Sequence, residues 1–316
     1  MKRRIEDEGS RSGEAQPRTT LLLGVRVVTG LVTLLASLPF CQASPSWGEA
    51  DRNEEQPNAN PIEIPFRLYN DNLIVVKGSI GRIKKVNFIL DTGTSPTIIA
   101  ESIAAQLKLR GQTESLATLN GTIQAESLVV PQIQIGPLQA ESAKVVVQDL
   151  RSLERSLGIL LAGIVGLDIL STANFSIDYQ KKKIVFGCVI TIEKTIPFAT
   201  RSPFLLVKAE VEGQELRLLL DSGTPRLLIY RNRVDTRRKT VRVDPNNLLF
   251  IPSGMNRVRW LCAEVVLGAH NLGAVDVAIA DVDSDPQYDF DGLLGFAKMG
   301  FHKVTFDFRN GLFGWD

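Results

Sequence analysis

The sequence predicts an all-β protein made of two homologous lobes with a few short helices. Short apolar stretches rich in Val and Ile, separated by Gly, Pro and Asn, are typical of β-strands. Two separate blocks of sequence each occur twice, in the same order. The 316 residues are enough for about two ordinary domains, and a hydrophobic content of 44% supplies each with a core. We expect the lobes at residues 61–190 and 198–316.

The evidence for two lobes is an internal repeat. "VNFILDTGTSPTII" at residues 86–99 matches "LRLLLDSGTPRLLI" at residues 216–229. Further along, "AGIVGLDILSTANFSIDY" at 162–179 matches "DGLLGFAKMGFHKVTFDF" at 291–308. Repetition of two separated blocks with one residue of slippage is poorly explained by chance. The pattern therefore predicts a duplicated domain, with the two copies joined through "TIEKTIPF".

Residues 1–43 have the pattern of an export signal. Basic residues precede an apolar run at 27–40, and Cys41 and Ala43 match the small residues before a cleavage point. We expect cleavage after Ala43 and an exported protein, either periplasmic or secreted.

An uncleaved membrane tether through residues 21–40 remains open. This stretch nearly reaches the length of a membrane span if Arg26 lies near one end. The residues that follow, 44–60, are polar, acidic and contain proline, which favours a disordered linker.

Charge and residue counts exclude several kinds of site. A formal net charge of +1 gives no global field to attract nucleic acid, so we expect no nucleic-acid partner. Neither of the two histidines lies in a ligand-spaced cluster, so a zinc site or a Ser-His-Asp triad is poorly supported. We expect no metal or other cofactor. Cys188 and Cys262 either form one bridge or are unpaired core thiols.

Helices are expected at a few positions between the strands. Pro96 can start a helix over about Thr97 to Leu107, in which Ile103 lies on the apolar face. A further helical turn is expected after Gly166, and another after Gly295.

Asp91 and Asp221 are the candidate functional residues, because each ends an apolar run and is followed by a sharp turn. Placing a carboxylate at the end of a buried strand costs free energy that stability alone rarely requires. One such aspartate could simply cap the turn that follows it. Two equivalent aspartates favour a shared chemical role.

The motifs "ILDTGT" and "LLDSGT", with the later "GIVGLD" and "GLLGFA", resemble those of the aspartic peptidases. The resemblance is to the retropepsin-like group and its two-lobed pepsin-like relatives, and covers most of residues 61–316. It implies two acid-protease-type β-barrel lobes with an active-site cleft between them. It also implies an endopeptidase that hydrolyses peptide or protein substrates.

Two facing carboxylates cannot both ionise comfortably, so they share one proton, as is known for aspartic proteases. The resemblance implies that Asp91 and Asp221 activate a water molecule by general acid-base chemistry. Because one chain supplies both acids, we expect a monomer that acts as an intramolecular pseudo-dimer. The rival interpretation is a catalytically silent bilobal protein that binds peptides or serves as a scaffold.

The resemblance also gives roles to the three residues after each acid. The first of each trio should hydrogen-bond across the junction of the lobes. The glycine should allow a tight turn and present its N–H to the carboxylate. The third should donate its hydroxyl to the outer carboxylate oxygen. These supporting residues are Thr92, Gly93, Thr94, Ser222, Gly223 and Thr224.

Asn120 and Gly121 form a strong hairpin-turn signal, and we expect this hairpin to be the flap over the cleft. An extended peptide could bind beneath it as an added strand. The flap tyrosine expected of pepsins is missing, since no tyrosine lies between Tyr69 and Tyr179. This departure favours the retropepsin side of the family.

Two other acidic features have simpler interpretations. The stretch 281–292 resembles the start of a calcium loop, but Pro286 replaces the required glycine and Gly292 the final acid. We interpret it as a solvated loop. Asp168 and Asp178 have the positions of turn and strand-end residues.

Overall fold

The computed structural model describes residues 61–118, 121–187, 192–201, 203–234, 241–251, 254–280 and 289–316, with two short strands, β1 (Val27–Val28) and β2 (Ala36–Ser37). The described residues form three sheets with a few short helices, so the predicted all-β class is confirmed. Within these ranges no helix is long and apolar enough to span a bilayer.

The first half of the chain forms a nine-stranded sheet with the order β2-β8-β9-β10-β7-β11-β6-β5-β4. Its elements, with three strands of a further sheet, are β3 (Ile62–Pro65), β4 (Arg67–Tyr69), β5 (Leu73–Ile80), β6 (Ile83–Leu90), β7 (Ile98–Ala100), α1 (Glu101–Leu107), β8 (Gln112–Thr118), β9 (Gly121–Ile135), β10 (Leu138–Gln148), α2 (Arg151–Leu157), β11 (Gly163–Val165), α3 (Leu167–Leu170), β12 (Phe175–Asp178) and β13 (Lys183–Phe186).

The second half forms another nine-stranded sheet, with the order β1-β19-β20-β21-β18-β22-β17-β16-β15. Position by position this repeats the strand order of the first sheet. The remaining elements are β14 (Lys194–Pro197), β15 (Ala199–Arg201), β16 (Phe204–Val211), β17 (Gln214–Leu220), β18 (Leu227–Tyr230), a 3₁₀ turn (Arg231–Arg233), β19 (Val241–Ile251), β20 (Gly254–Leu267), β21 (His270–Ala280), β22 (Gly292–Leu294), β23 (Lys303–Asp307) and β24 (Leu312–Trp315).

A third, six-stranded sheet joins the two halves. Its order is β14-β24-β23-β12-β13-β3, so three strands come from each side of residue 190. The halves meet where β12 pairs with β23 and Phe175 lies opposite Phe306. The rings of these two buried residues stack with centroids 4.8 Å apart. Burial of paired aromatic rings stabilises this junction.

Each of the two aspartates follows a strand whose last three residues are buried. β6 lies between β5 and β11, and β17 lies between β16 and β22. Both strands end in buried leucine, which explains why the sequence reads as an uninterrupted apolar run before each acid. The backbone N–H of Asp91 donates to Val165 O over 3.0 Å, and that of Asp221 donates to Leu294 O over 3.0 Å. Each acid is therefore tied to the strand beside it.

The helix predicted from Thr97 to Leu107 is wrong in its first turn. Residues 98–100 form β7, which is parallel to β10 and antiparallel to β11, and the helix begins at Glu101. The buried, β-branched side chains of Ile98 and Ile99 fit a sheet better than a helix start. The helical turn expected after Gly166 is α3, whereas residues 297–300 after Gly295 form only a turn.

The hairpin predicted around Gly121 is formed by β8 and β9, with Thr118 paired to Gly121. Asn120 lies outside the described residues. The second half has an equivalent hairpin of β19 and β20, closed by pairing of Ile251 with Gly254, which the sequence analysis did not predict. The edge strand of each hairpin pairs with one short strand of the leader: β2 with β8 and β1 with β19. Other residues of the predicted leader and linker lie outside the described ranges.

Cys262 is unpaired and its side chain is exposed. The interpretation of this residue as a core thiol is therefore wrong. It lies on β20, where its register partner is the polar Asp276, so the residue belongs to a solvent-facing row of the sheet. Cys188 lies outside the described residues.

Candidate active site

Asp91 and Asp221 meet at the junction of the two large sheets. Their residues are 0% and 1% exposed, and their carboxyl groups are hydrogen-bonded to each other. Each side chain reaches this point because its strand ends there and the chain turns sharply afterwards. The structure thus brings together the two acids that the repeat singled out.

Two donors hold the carboxylate of Asp91 from its own loop. The backbone N–H of Gly93 donates to Oδ1 over 2.8 Å, and the Thr94 hydroxyl donates to Oδ2 over 2.9 Å. The Thr94 N–H also donates to the Asp91 backbone oxygen over 3.3 Å, which closes the turn. Both carboxylate oxygens are therefore oriented by short-range contacts.

The Asp221 loop repeats this arrangement. Gly223 N–H donates to Oδ1 over 2.7 Å, and the Thr224 hydroxyl donates to Oδ2 over 2.6 Å. The Thr224 N–H donates to the Asp221 backbone oxygen over 3.3 Å, as in the first loop. Four of the supporting residues named from the sequence thus contact the two acids directly.

The other two supporting residues connect the loops. The Thr92 hydroxyl accepts from Ser222 N–H over 2.9 Å and donates to Leu220 O over 2.9 Å. In return, the Ser222 hydroxyl accepts from Thr92 N–H over 3.0 Å and donates to Leu90 O over 3.3 Å. The four bonds are buried and reciprocal, so each loop fixes the position of the other.

Gly93 is required by a close approach to the opposite acid. A Cβ added at this residue would lie 2.7 Å from both Cγ and Oδ1 of Asp221. Real carbon atoms do not come so close without displacement of their neighbours. Any side chain at this position would therefore push the two carboxyl groups apart.

Burial raises the pKa of Asp91 well above its usual range, and the nearby Asp221 carboxylate raises the pKa further. Burial also raises the pKa of Asp221, although the hydrogen bond from the Thr224 hydroxyl opposes the shift. A buried pair of this kind retains one proton between its members. The arrangement therefore holds an acid and a base side by side.

Tyr179 follows β12 and lies near enough to Asp221 to be affected by its charge. Its hydroxyl is buried and has no hydrogen-bond partner among the described residues. Burial, followed by the negative charge of Asp221, raises the pKa of the phenol. No sequence motif pointed to this residue, because the matching residue in the second half, Phe308, carries no hydroxyl.

Asp168 has the turn role expected from the sequence, but on one side of the site only. Its carboxylate accepts from the N–H of Thr97 over 3.1 Å and from the Thr97 hydroxyl over 2.8 Å. The Gly166 N–H donates to the same hydroxyl over 3.0 Å. Burial raises the pKa of Asp168. This network braces the chain just after the Asp91 loop.

Asn72 is a second residue that sequence reasoning missed. It is buried in the turn between β4 and β5, and its side-chain amide donates to Gly223 O over 2.6 Å. The residue lies outside both repeated blocks, so no motif pointed to it.

The described residues contain no group of three or more His, Cys, Asp or Glu side chains suited to a metal ion.

Comparisons with known proteins found one family model and a similar fold. A family model described as aspartyl protease matches residues 76–169, a span that includes Asp91. The fold is similar to the crystal structure of an aspartic proteinase from Irpex lacteus, with a TM-score of 0.54 and 12% identity. That alignment covers 81% of this chain and 96% of the other. A search of curated proteins found no match. Residues 76–169 thus match the aspartyl protease model, and the fold resembles that of an aspartic proteinase.

Proposed function

We propose that this protein is an aspartic endopeptidase in which Asp91 and Asp221 activate a water molecule for attack on a peptide bond. The observation that carries the proposal is the buried, hydrogen-bonded pair of carboxyl groups, each oriented by a glycine N–H and a threonine hydroxyl. Structural stability does not require two such acids to face each other, because their burial and repulsion are unfavourable.

The reaction needs one proton shared by the two acids. The ionised acid removes a proton from the bound water, whose oxygen attacks the carbonyl carbon of the peptide bond. The protonated acid donates its proton to the carbonyl oxygen, which gives a neutral tetrahedral intermediate. The C–N bond then breaks as the amine nitrogen takes a proton from the first acid and a hydroxyl proton returns to the other. No covalent bond forms between enzyme and substrate.

The substrate class follows from the two hairpins. The β8–β9 and β19–β20 hairpins have equivalent places in the two large sheets. We expect an extended peptide to bind beneath them, because strand edges offer backbone hydrogen bonds. The lack of a tyrosine between residues 69 and 179 favours the retropepsin side of the resemblance.

We further propose that the chain is exported and acts as a monomer, with residues 1–43 removed. The sequence before Ser44 supports cleavage at that point. Mass spectrometry of the mature protein from its native host tests this proposal. A mature chain that begins at Ser44 supports export after cleavage, whereas retention of residues 21–40 supports the membrane tether.

The activity is tested by incubation of the purified protein with a peptide library between about pH 3 and pH 7, the range in which one carboxyl of a pair is protonated. We expect metal-independent cleavage, most active at mildly acid pH. Asp91→Asn and Asp221→Asn should each reduce kcat/KM by at least about 10³-fold. Asp149→Asn is the matched control, since Asp149 is exposed and bonded only to Arg151.

The test also separates the enzyme from a silent binding protein. Unchanged cleavage by Asp91→Asn would exclude the proposed chemistry. Peptide binding without cleavage at any pH would favour the bilobal scaffold.

A further inference from the structure

The turn between β4 and β5 contacts the loop that carries Asp221. Asn70 and Asp71 have positive φ angles of 49° and 62°, and Asn72 N–H donates to Tyr69 O over 3.1 Å. This tight turn directs the Asn72 side chain inward, where the residue is 1% exposed. Its Nδ2 lies 2.6 Å from Gly223 O, although the two residues are 151 positions apart in the chain.

The orientation of this amide follows from its partner. A backbone carbonyl oxygen can only accept a hydrogen bond, so the Asn72 atom beside it is the nitrogen. The other amide atom, Oδ1, is buried and has no hydrogen-bond partner among the described residues. An unpaired buried acceptor costs about 1–3 kcal/mol. An apolar residue would remove this unpaired acceptor, but it would leave Gly223 O without its donor. The asparagine is therefore held at this position by its bond to the Asp221 loop.

The hydrogen bond from Asn72 fixes the peptide group that orients Asp221. Gly223 O and Thr224 N–H belong to one peptide group, and that N–H donates to the Asp221 backbone oxygen over 3.3 Å. On either side of this group, Gly223 N–H and the Thr224 hydroxyl hold the two carboxylate oxygens of Asp221. Asn72 therefore limits the movement of all the donors to this carboxylate.

The position that matches Asn72 on the Asp91 side carries no side-chain donor. In the repeat, "NLIVVK" before the first loop corresponds to "PFLLVK" before the second, so Pro203 stands where Asn72 would be. Proline has no side-chain donor. The two acids thus share their nearest contacts but differ in how firmly the next layer of the structure holds their loops.

We propose that Asn72 is a positioning residue which makes the two acids inequivalent, by holding the Asp221 loop in the geometry that favours the ionised carboxylate and leaving the shared proton on Asp91. This inference rests on the proposed function. The titratable groups that face Asp221 are Asp91 and Tyr179. Burial raises the pKa of both acids, and hydrogen bonds from the loop of each acid oppose the rise. The bond from Asn72 to Gly223 O is an additional contact to the Asp221 loop.

Two variants of Asn72 test this role through pH profiles. Asn72→Leu removes the donor and should lower kcat about 10- to 100-fold with little change in KM, because small displacements of catalytic groups have effects of this size. Asn72→Asp keeps the shape of the side chain. Its protonated form can donate to Gly223 O, whereas its ionised form cannot. At the acid end of the pH range, we expect Asn72→Asp to have nearly the kcat of wild type. As pH rises, its kcat should fall more steeply than that of wild type.

Asp71→Asn is the matched control from the same turn. The Asp71 side chain is 80% exposed and pairs with Lys298 over 3.1 Å. An exposed ion pair of this kind contributes little, so activity should remain within about twofold of wild type. Wild-type kcat and pH profile in Asn72→Leu would overturn the proposal. If that variant does not fold, an Asn72→Asp profile identical to wild type would overturn it.

The role of Asn72 can also be measured without catalysis, by titration of the two carboxyl groups. If the wild type cleaves no peptide at any pH, the proposed function fails. ¹³C NMR titration of labelled aspartate carboxyls, assigned with Asp91→Asn, then decides the role of Asn72. We expect Asn72→Leu to move part of the shared proton from Asp91 to Asp221. An unchanged titration of both carboxyls would contradict the proposal.

Discussion

The Asp91 and Asp221 loops are equivalent close to the carboxylates and different beyond them. Both acids accept from a glycine N–H and a threonine hydroxyl, with distances between 2.6 and 2.9 Å. The cross-loop bonds of Thr92 and Ser222 are reciprocal. The symmetric part is therefore the part that contacts the pair of acids.

The next layer of contacts breaks the symmetry. Thr97 and Asp168 brace the chain after the Asp91 loop, but the corresponding positions in the repeat, Leu227 and Ala297, have no polar side chains. Asn72 braces only the other loop. The comparison teaches that two loops of similar sequence can keep one local geometry while different neighbours give the two acids different environments.

The largest expected effect tests the close approach of the loops. Gly93→Ala places a carbon against the Asp221 carboxyl group and should reduce kcat/KM at least about 10²-fold, because it displaces one acid from the other. Kinetics with a cleaved peptide measure the loss, and circular dichroism checks the fold. Gly223→Ala is the matched variant. Wild-type activity in Gly93→Ala would show that the two acids need not stay in contact.

A smaller effect tests the cross-loop bonds. Thr92→Val removes two buried hydrogen bonds of 2.9 Å each, and Ser222→Ala removes two of 3.0 and 3.3 Å. Both should lower the free energy of unfolding by about 2–3 kcal/mol, with the greater loss in Thr92→Val, since the stranded partners are buried. Denaturant titration measures the difference. If Ser222→Ala lost as much unfolding free energy as Thr92→Val, or more, hydrogen-bond length would not explain the relative contributions of the two residues.

The smallest expected effect concerns the pH dependence of stability. Because the pKa of Asp91 is raised in the folded protein, the folded state binds this proton more tightly than the unfolded chain. The wild type therefore loses stability as pH rises from about 3.9, the usual aspartate pKa, through the raised value. Asp91→Asn has no such loss. Its free energy of unfolding should therefore increase relative to that of wild type as pH rises.

Thermal unfolding from about pH 3.5 to pH 7 measures this trend, with each kcal/mol worth about 2–4 °C in a chain of this class. The advantage of Asp91→Asn should vanish at the acid end. An advantage that is constant with pH, or that grows as pH falls, would contradict the raised pKa. Asp149→Asn serves again as the control. Its free energy of unfolding should fall relative to that of wild type as pH rises, which is opposite to the trend of Asp91→Asn. The Arg151 hydrogen bonds lower the pKa of Asp149 to about 2, which favours the folded state at higher pH.

Local patterns predicted much of the fold and of the site. The alternation of apolar and polar residues predicted strands, and Gly121 predicted a hairpin that the pairing of β8 with β9 confirms. The predicted helix start was wrong. In sequence, Ile98 and Ile99 fit the first turn of an amphipathic helix, but in the structure they form a strand that pairs with β10 and β11. The equivalent hairpin of β19 and β20 was missed, because it lacks an Asn-Gly signal.

The sequence by itself determined the all-β class, the two acids and the donors beside them, since each of these depends on residues within a few positions of one another. Only the tertiary structure decided which neighbours support each loop. Asn72 and Gly223, or Thr97 and Asp168, meet across long stretches of chain, and no local pattern records such a contact. Local geometry follows from short-range sterics and hydrogen bonds, whereas the environment of a buried charge depends on everything that is packed around it.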